Sequence, residues 1–248
     1  MYVKSAPSLI SIISIAILAL SGAAAYGQGS SAAQAPASNQ AQASGQPQPS
    51  GSAYEHETDI GGSFYYAMNS ATTAKGVTQT PTDAYGGMFE IRHIQNPLVG
   101  YELTYGYHSN KETIAPVPAP NCGLYCNSPV QDLSVNTSLV GLDWVFSKKF
   151  GNLRPFATGG LGFLIFEPNA PRIATSATTT VPGYGINDTV RIAWLYGGGV
   201  DYSITDHLGV RGQIRAEAYK VPNLSMLFPA QGVYTQTFEP MGGVFYRF

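Results

Sequence analysis

The residues of this chain best suited to chemistry are four histidines, two cysteines and a set of isolated acids and bases. His56, His93, His108 and His207 are widely separated, and only His108, followed by Ser109, brings a base next to a nucleophile in sequence. A Ser–His dyad needs the two side chains within hydrogen-bond reach of one another. Neighbours on a strand point to opposite faces, so His108 is not expected to activate Ser109. The two cysteines are too few to close a four-ligand zinc site. No Gly-rich phosphate loop, metal-ligand spacing or internal repeat is present. Catalytic, cofactor-binding and metal-binding residues are therefore all expected to be absent, and with them any cofactor.

The charged residues are more informative. Glu90, Arg92, Glu102, Asp143, Arg191, Asp201, Arg211, Arg215, Glu217 and Arg247 each fall on the polar side of a period-two alternation whose other side is apolar and aromatic. Mixed signs on faces that all point the same way predict an ion-pair network inside a closed wall of strands. An eight-stranded barrel is only wide enough for side chains to fill.

The elements that position these charges read as eight strands. They run over about Tyr54–Met68, Asp83–Ile94, Leu98–His108, Asp132–Phe146, Arg154–Glu167, Arg191–Tyr202, Leu208–Val221 and Thr237–Phe248. The third sets Val99, Tyr101, Leu103, Tyr105 and Tyr107 against Gly100, Glu102, Thr104, Gly106 and His108. The fifth is Gly-rich and apolar throughout, so periodicity assigns it no faces. Connections alternate between long loops (Asn69–Thr82, Ser109–Gln131, Pro168–Thr189, Pro222–Gln236) and short turns (Asn96-Pro97, Lys148–Asn152, Thr205–Gly209). Long extracellular loops and short periplasmic turns are the rhythm of an outer-membrane barrel. Pro240 removes a ladder donor, which predicts a bulge there or a last strand beginning effectively at Met241.

The ends and the composition agree. Lys4, the apolar run Leu9–Leu20 and Ala23-Ala24-Ala25 read as a secretory signal peptide over residues 1–25. Residues 26–53 form an Ala/Gln/Ser/Pro-rich leader that cannot bury enough surface to offset ordering entropy, leaving 54–248 as one domain. Charged residues are 11% of the chain, against about 25% in soluble domains, while Tyr and Phe number 16 and 11. That balance suits a body facing lipid with aromatic rims. A net charge of −2 argues against nucleic acid, which requires a basic stripe. In an oxidising compartment Cys122 and Cys126 are expected to form a disulfide. So short a loop contributes at most about 2 to 3 kcal/mol. Alkylation before reduction is expected to label neither thiol; labelling of both contradicts the bond.

The runs Arg154-Pro-Phe-Ala-Thr-Gly-Gly-Leu-Gly162 and Gly197-Gly-Gly-Val-Asp-Tyr-Ser-Ile-Thr-Asp206, with Leu208 following, and the terminal Val244-Phe-Tyr-Arg-Phe248 resemble the OmpA-like outer-membrane β-barrel domain family. The resemblance covers about Tyr54 to Phe248, and its motifs are loose. It implies an all-β, eight-stranded antiparallel up-and-down transmembrane barrel in the bacterial outer membrane, with a periplasmic leader and extracellular loops. The chain departs from full-length OmpA in that no residues follow the last strand, so the C-terminal peptidoglycan-binding domain is expected to be absent. Val244, Tyr246 and Phe248 would form the terminal strand read by the barrel insertion machinery. The expected partners are that machinery, periplasmic chaperones, outer-membrane lipid and an extracellular surface ligand reached through the loops; nucleic acid is not among them. The expected role is non-enzymatic, envelope-structural and surface-contacting. A narrow passive channel for small solutes and a lipid-modifying barrel enzyme are the alternatives.

Overall fold

The computed structural model describes residues 56–118, 130–169, 188–226 and 231–248, with Asn121, Gly123, Asn127, Ile186 and Phe228 between them. The signal peptide, the leader, Cys122 and Cys126 lie outside the described residues.

Ten strands follow one another: β1 (Glu57–Ala67), β2 (Thr72–Ala74), β3 (Val77–Pro81), β4 (Ala84–Ile94), β5 (Val99–Pro116), β6 (Gln131–Ser147), β7 (Leu153–Pro168), β8 (Thr189–Ser203), β9 (Leu208–Lys220) and β10 (Tyr234–Arg247). Eight of them, β1 and β4 to β10, pair antiparallel with their neighbours, and β1 pairs with β10 to close the wall. Hydrogen-bonded partners followed once round the barrel, from Thr58 through His93, Tyr101, Trp144, Gly159, Tyr196, Ala216 and Phe238, lead back to Met68, ten residues further along the first strand. A stagger of that size over eight strands tilts them by roughly 40° to the barrel axis.

Short turns close one end. Asn96 Oδ1 accepts the backbone N–H of Leu98 and Val99, and Thr205 Oγ1 accepts those of His207 and Leu208. These side chains mimic a backbone turn, which is why Asn and Thr serve there. The opposite end carries the long connections. The first of these, expected as a plain loop, holds the β2–β3 hairpin, whose two linking residues Lys75 and Gly76 both have positive φ, 51° and 77°. That is the two-residue hairpin geometry whose twist matches flanking strands. β3 pairs with the upper part of β5, which runs on to Pro116 instead of stopping at His108.

The reason for that misreading is a reversal of polarity along the strands. In lower β5, Tyr101, Leu103, Tyr105 and Tyr107 face out, while Gly100, Glu102, Thr104 and Gly106 face in. Above Tyr107 the outward residues are Ser109 and Lys111, and Ile114 is buried inside. β6 does the same: Leu142, Trp144 and Phe146 are exposed around a buried Asp143, whereas higher up Leu133 and Val135 are buried between exposed Asp132 and Ser134. A water-soluble barrel keeps its apolar face inward along its whole length. Along β5 and β6 the lower barrel is therefore inverted and the upper barrel is not.

The upper interior is an apolar cap. Val77, Ile114, Leu133, Val135, Leu139, Leu164, Phe166, Leu195 and Tyr219 from the strands cluster with Leu224 and Phe228 from the chain after β9. Gln231 Nε2 donates to the Val77 carbonyl and ties that chain to the β2–β3 hairpin.

Two further expectations are corrected. β10 continues unbroken through Pro240 to Tyr234 with no bulge, its register on β9 constant along its length. Pro240 is tolerated because its missing donor faces β1, where paired residues stop at Met241 and resume only at the Phe238–Met68 bridge. The unassigned fifth strand is β7, whose outward side carries Leu153, Leu161 and Phe163 and whose inward side carries Arg154, Phe156, Leu164 and Phe166. Periodicity fails there because both faces are apolar: Phe156 packs under a guanidinium, and Leu164 and Phe166 belong to the cap.

Candidate functional site: the charged lumen

Strand register places the lumen charges against each other. Asp59 stands opposite Arg92 on β4 and Arg247 on β10, Arg92 opposite Glu102, Asp201 opposite Arg211, and Arg215 opposite Glu239. Opposite charges at directly paired positions stabilise a sheet face. All of these strands turn that face inward.

The pairs assemble into two groups. Nearer the turns, Arg211 bonds Glu90 (2.7 Å) and Asp201 (2.7 Å) and approaches Glu102 (3.4 Å) and Asp59 (3.8 Å). Arg92 bonds Glu102 (2.5 Å) and Asp201 (3.0 Å) from the facing wall. The chain of charge continues to the rim through Arg247 with Asp59 (2.8 Å) and Glu57 (3.4 Å), and Arg154 with Glu57 (2.5 Å). Aromatic rings line the same guanidiniums: Phe156 lies 4.1 Å below Arg92, and Phe245 lies between Arg211 and Arg247. A weakly hydrated guanidinium stacks on such faces while forking to carboxylates.

Higher up, Arg215 bonds Glu239 (2.8 Å) and Glu217 (3.1 Å) and reaches Thr104 (3.5 Å). Beside it, Tyr65 Oη and His108 Nδ1 share a hydrogen bond of 3.0 Å. The Tyr65 ring lies across Gly86 on β4, in space that any side chain at that position would need. His108 is buried in the lumen and Ser109 is exposed outside, so the two form no dyad. Among the described residues no three His, Cys, Asp or Glu converge on a metal-sized site.

All the expected lumen charges face inward, and all but Asp143 and Arg191 take part in these ion pairs. Asp143 is buried opposite Glu102, with its Oδ1 unbonded among the described residues. Arg191 stands opposite Leu164 at the level of the cap, with no ion pair among the described residues, and so is no neighbour of Arg211 and Arg215. The expectation also passed over Glu57, Asp59, Arg154 and Glu239. Glu239 lay beside Pro240, where the strand was expected to be interrupted, and Arg154 lay on the strand without assigned faces. Asp59 sits two residues past Glu57 on the polar side of β1, so alternation alone marks both.

The bore is filled. The side chains of Arg92, Arg211 and Arg215 are 0%, 2% and 1% exposed, and their carboxylate partners no more than 3%. At the turn end a vestibule of about 570 Å³, lined by His56, Lys149, Ser203 and His207, ends on Arg247. Outside, Val244 and Tyr246 on β10 and Phe248 just after it are exposed in a row, with Tyr246 stacked on His207 and meeting Phe248 edge to face.

These features define a class: a small closed eight-stranded antiparallel β-barrel with an ion-paired interior and an apolar, aromatic lower wall. Among solved structures the chain is similar to the outer membrane protein OprG from Pseudomonas aeruginosa, at 12% identity and a TM-score of 0.53 over 79% of this chain and 97% of that one. Weaker likenesses are to Neisserial surface protein A (10% identity, TM-score 0.46, 78% and 97% of the two chains) and to Ail, the attachment invasion locus protein of Yersinia pestis (12%, 0.43, 78% and 99%). The likeness to OprG extends to the fold alone. No protein-family model matches the sequence and no curated protein does, so the narrower OmpA-like resemblance stands on its motifs only.

Proposed function

We propose that this protein is an outer-membrane β-barrel that serves the envelope as a non-conducting, non-enzymatic element and meets its surroundings through the long-loop end. The observation that carries the reading is the inversion of polarity along β5 and β6, which sets buried ionic groups inside an aromatic, apolar belt and then reverses above it. Ionised side chains face the lumen and apolar ones the lipid in such barrels, and lipid admits only structures whose backbone groups are all paired, as in a closed barrel. Conduction is the competing reading, and the packed guanidinium–carboxylate groups and the apolar cap both oppose it. Catalysis has no constellation to support it among the described residues: His108 bonds a tyrosine, and the neighbouring serine faces away.

The placement is tested by fractionating cells that express the full chain. The protein is expected in the outer-membrane fraction and to migrate on gels at different positions before and after heating, as closed barrels do. Recovery of folded protein from the detergent-free periplasmic fraction contradicts the proposal.

A further inference from the structure

Above the lipid-facing belt, at the level where Ser109 and Lys111 face outward, the barrel holds a small chamber of about 30 Å³, lined by polar side chains together with Leu164 and Phe166. Two carboxylates line it, Glu112 from β5 and Glu217 from β9, and no Lys or Arg does. Glu217 is held by Arg215 below, but Glu112 has no cationic partner among the described residues; the side-chain amides of Gln79 and Asn110 bond to it instead. Asn110 is 8% exposed, and its Oδ1, which can only accept, has no hydrogen-bond partner among the described residues. An unbonded buried acceptor costs about 1 to 3 kcal/mol. Its presence beside an unpaired carboxylate marks a place where donors are missing. Asn69 and Ser70, just past the end of β1, and Thr235 on β10 line it as well.

We propose that this chamber binds a primary ammonium group, which would donate to Glu112 and to Asn110 Oδ1. The chemistry selects that class. A space of this size holds about one or two waters' worth of atoms, which excludes a guanidinium or a ring. An ammonium offers three donors and a positive charge where the lining offers acceptors and a negative one. The inference does not depend on the membrane proposal, because the chamber stands above the inverted part of the wall.

Burial pushes the Glu112 carboxyl up to about 7. The titratable groups facing it are His108 on its own strand and Glu217 and Tyr219 on β9; Gln79 on β3 and Thr137 on β6 are neutral neighbours. With the folded value above the unfolded one, Glu112 favours the fold while protonated and loses that contribution as pH rises toward 7. Ammonium binding, which needs the ionised form, is therefore full near pH 8 and weakens below 7.

The test uses the whole barrel in detergent micelles at pH 8, with methylammonium, tetramethylammonium or sodium chloride at equal ionic strength. Methylammonium at saturation is expected to raise the apparent Tm by about 2 to 4 °C over sodium, and tetramethylammonium, which has the charge but no N–H donor, is expected not to. Glu112→Gln, with folding checked by circular dichroism, is expected to abolish the rise. Saturation-transfer NMR on the methylammonium methyl group reads contact in the unaltered protein without relying on the variant. Equal effects of the two amines, a rise that survives in Glu112→Gln, or no transfer to the methyl group overturns the proposal.

Discussion

Arg211→Ala is expected to lower the stability of the folded barrel by about 3 to 5 kcal/mol, measured by urea unfolding in detergent or lipid, because it leaves buried carboxylates without their cation. Arg211 is the ion-pair partner of Glu90 among the described residues and shares Asp201 and Glu102 with Arg92. Arg92 can still serve the shared pair, but among the described residues Glu90 forms no ion pair with any cation other than Arg211. The attribution is checked by a second change. Glu90→Gln in the Arg211→Ala background is expected to recover part of the loss, since it neutralises the group left unpaired. A double variant no more stable than the single one would place the loss in packing against Phe156 and Phe245 instead.

Arg215→Ala is expected to have an effect of similar size for a different reason. Among the described residues Arg215 is the one cation bonded to Glu239 and Glu217, two carboxylates on adjacent strands. Its removal leaves like charges together in a site whose members are 1% to 3% exposed. Breaking a buried ion group by removing one partner costs about 3 to 5 kcal/mol, whereas replacing the whole group by uncharged residues is often neutral. Arg215→Met combined with Glu217→Gln and Glu239→Gln is accordingly expected to lie much closer to the unaltered protein than Arg215→Ala does. If the triple variant is the less stable of the two, the group contributes net stability through its hydrogen bonds and the balance drawn here is wrong. Arg215→Ala is also expected to stay closed to ions, because the cap above it and the Arg92–Arg211 group below it still fill the bore.

The sequence disclosed the barrel because an inverted wall writes a long, regular signal: eight alternating stretches with aromatic residues on one side and charges on the other. It also disclosed which charges face inward, since a period of two leaves no choice once one face is set. What it hid follows from where that regularity breaks. Upper β5 looked like loop because Ser109, Asn110, Lys111 and Glu112 are polar on both faces, the outer pair meeting water and the inner pair meeting the chamber. Glu239 escaped notice because Pro240 implied a broken strand, and only the pairing on both sides shows that the missing donor falls in an unpaired stretch of β1. The cap could not be read at all: Val77, Leu224 and Phe228 are isolated apolar residues in polar connections, and their meeting depends on three-dimensional closure. Likewise the separation of Arg191 from Arg215 is a matter of stagger, which sets heights around the barrel and which alternation along one strand does not report.

The central claim, a membrane barrel whose bore is filled, is tested most directly by conductance of the purified, folded protein in planar lipid bilayers. The interlocked groups around Arg92, Arg211 and Arg215, closed above by the cap, predict no steady current at moderate voltage and physiological salt. A large, stable, ion-selective conductance from the unaltered protein would contradict the account and establish the barrel as a channel.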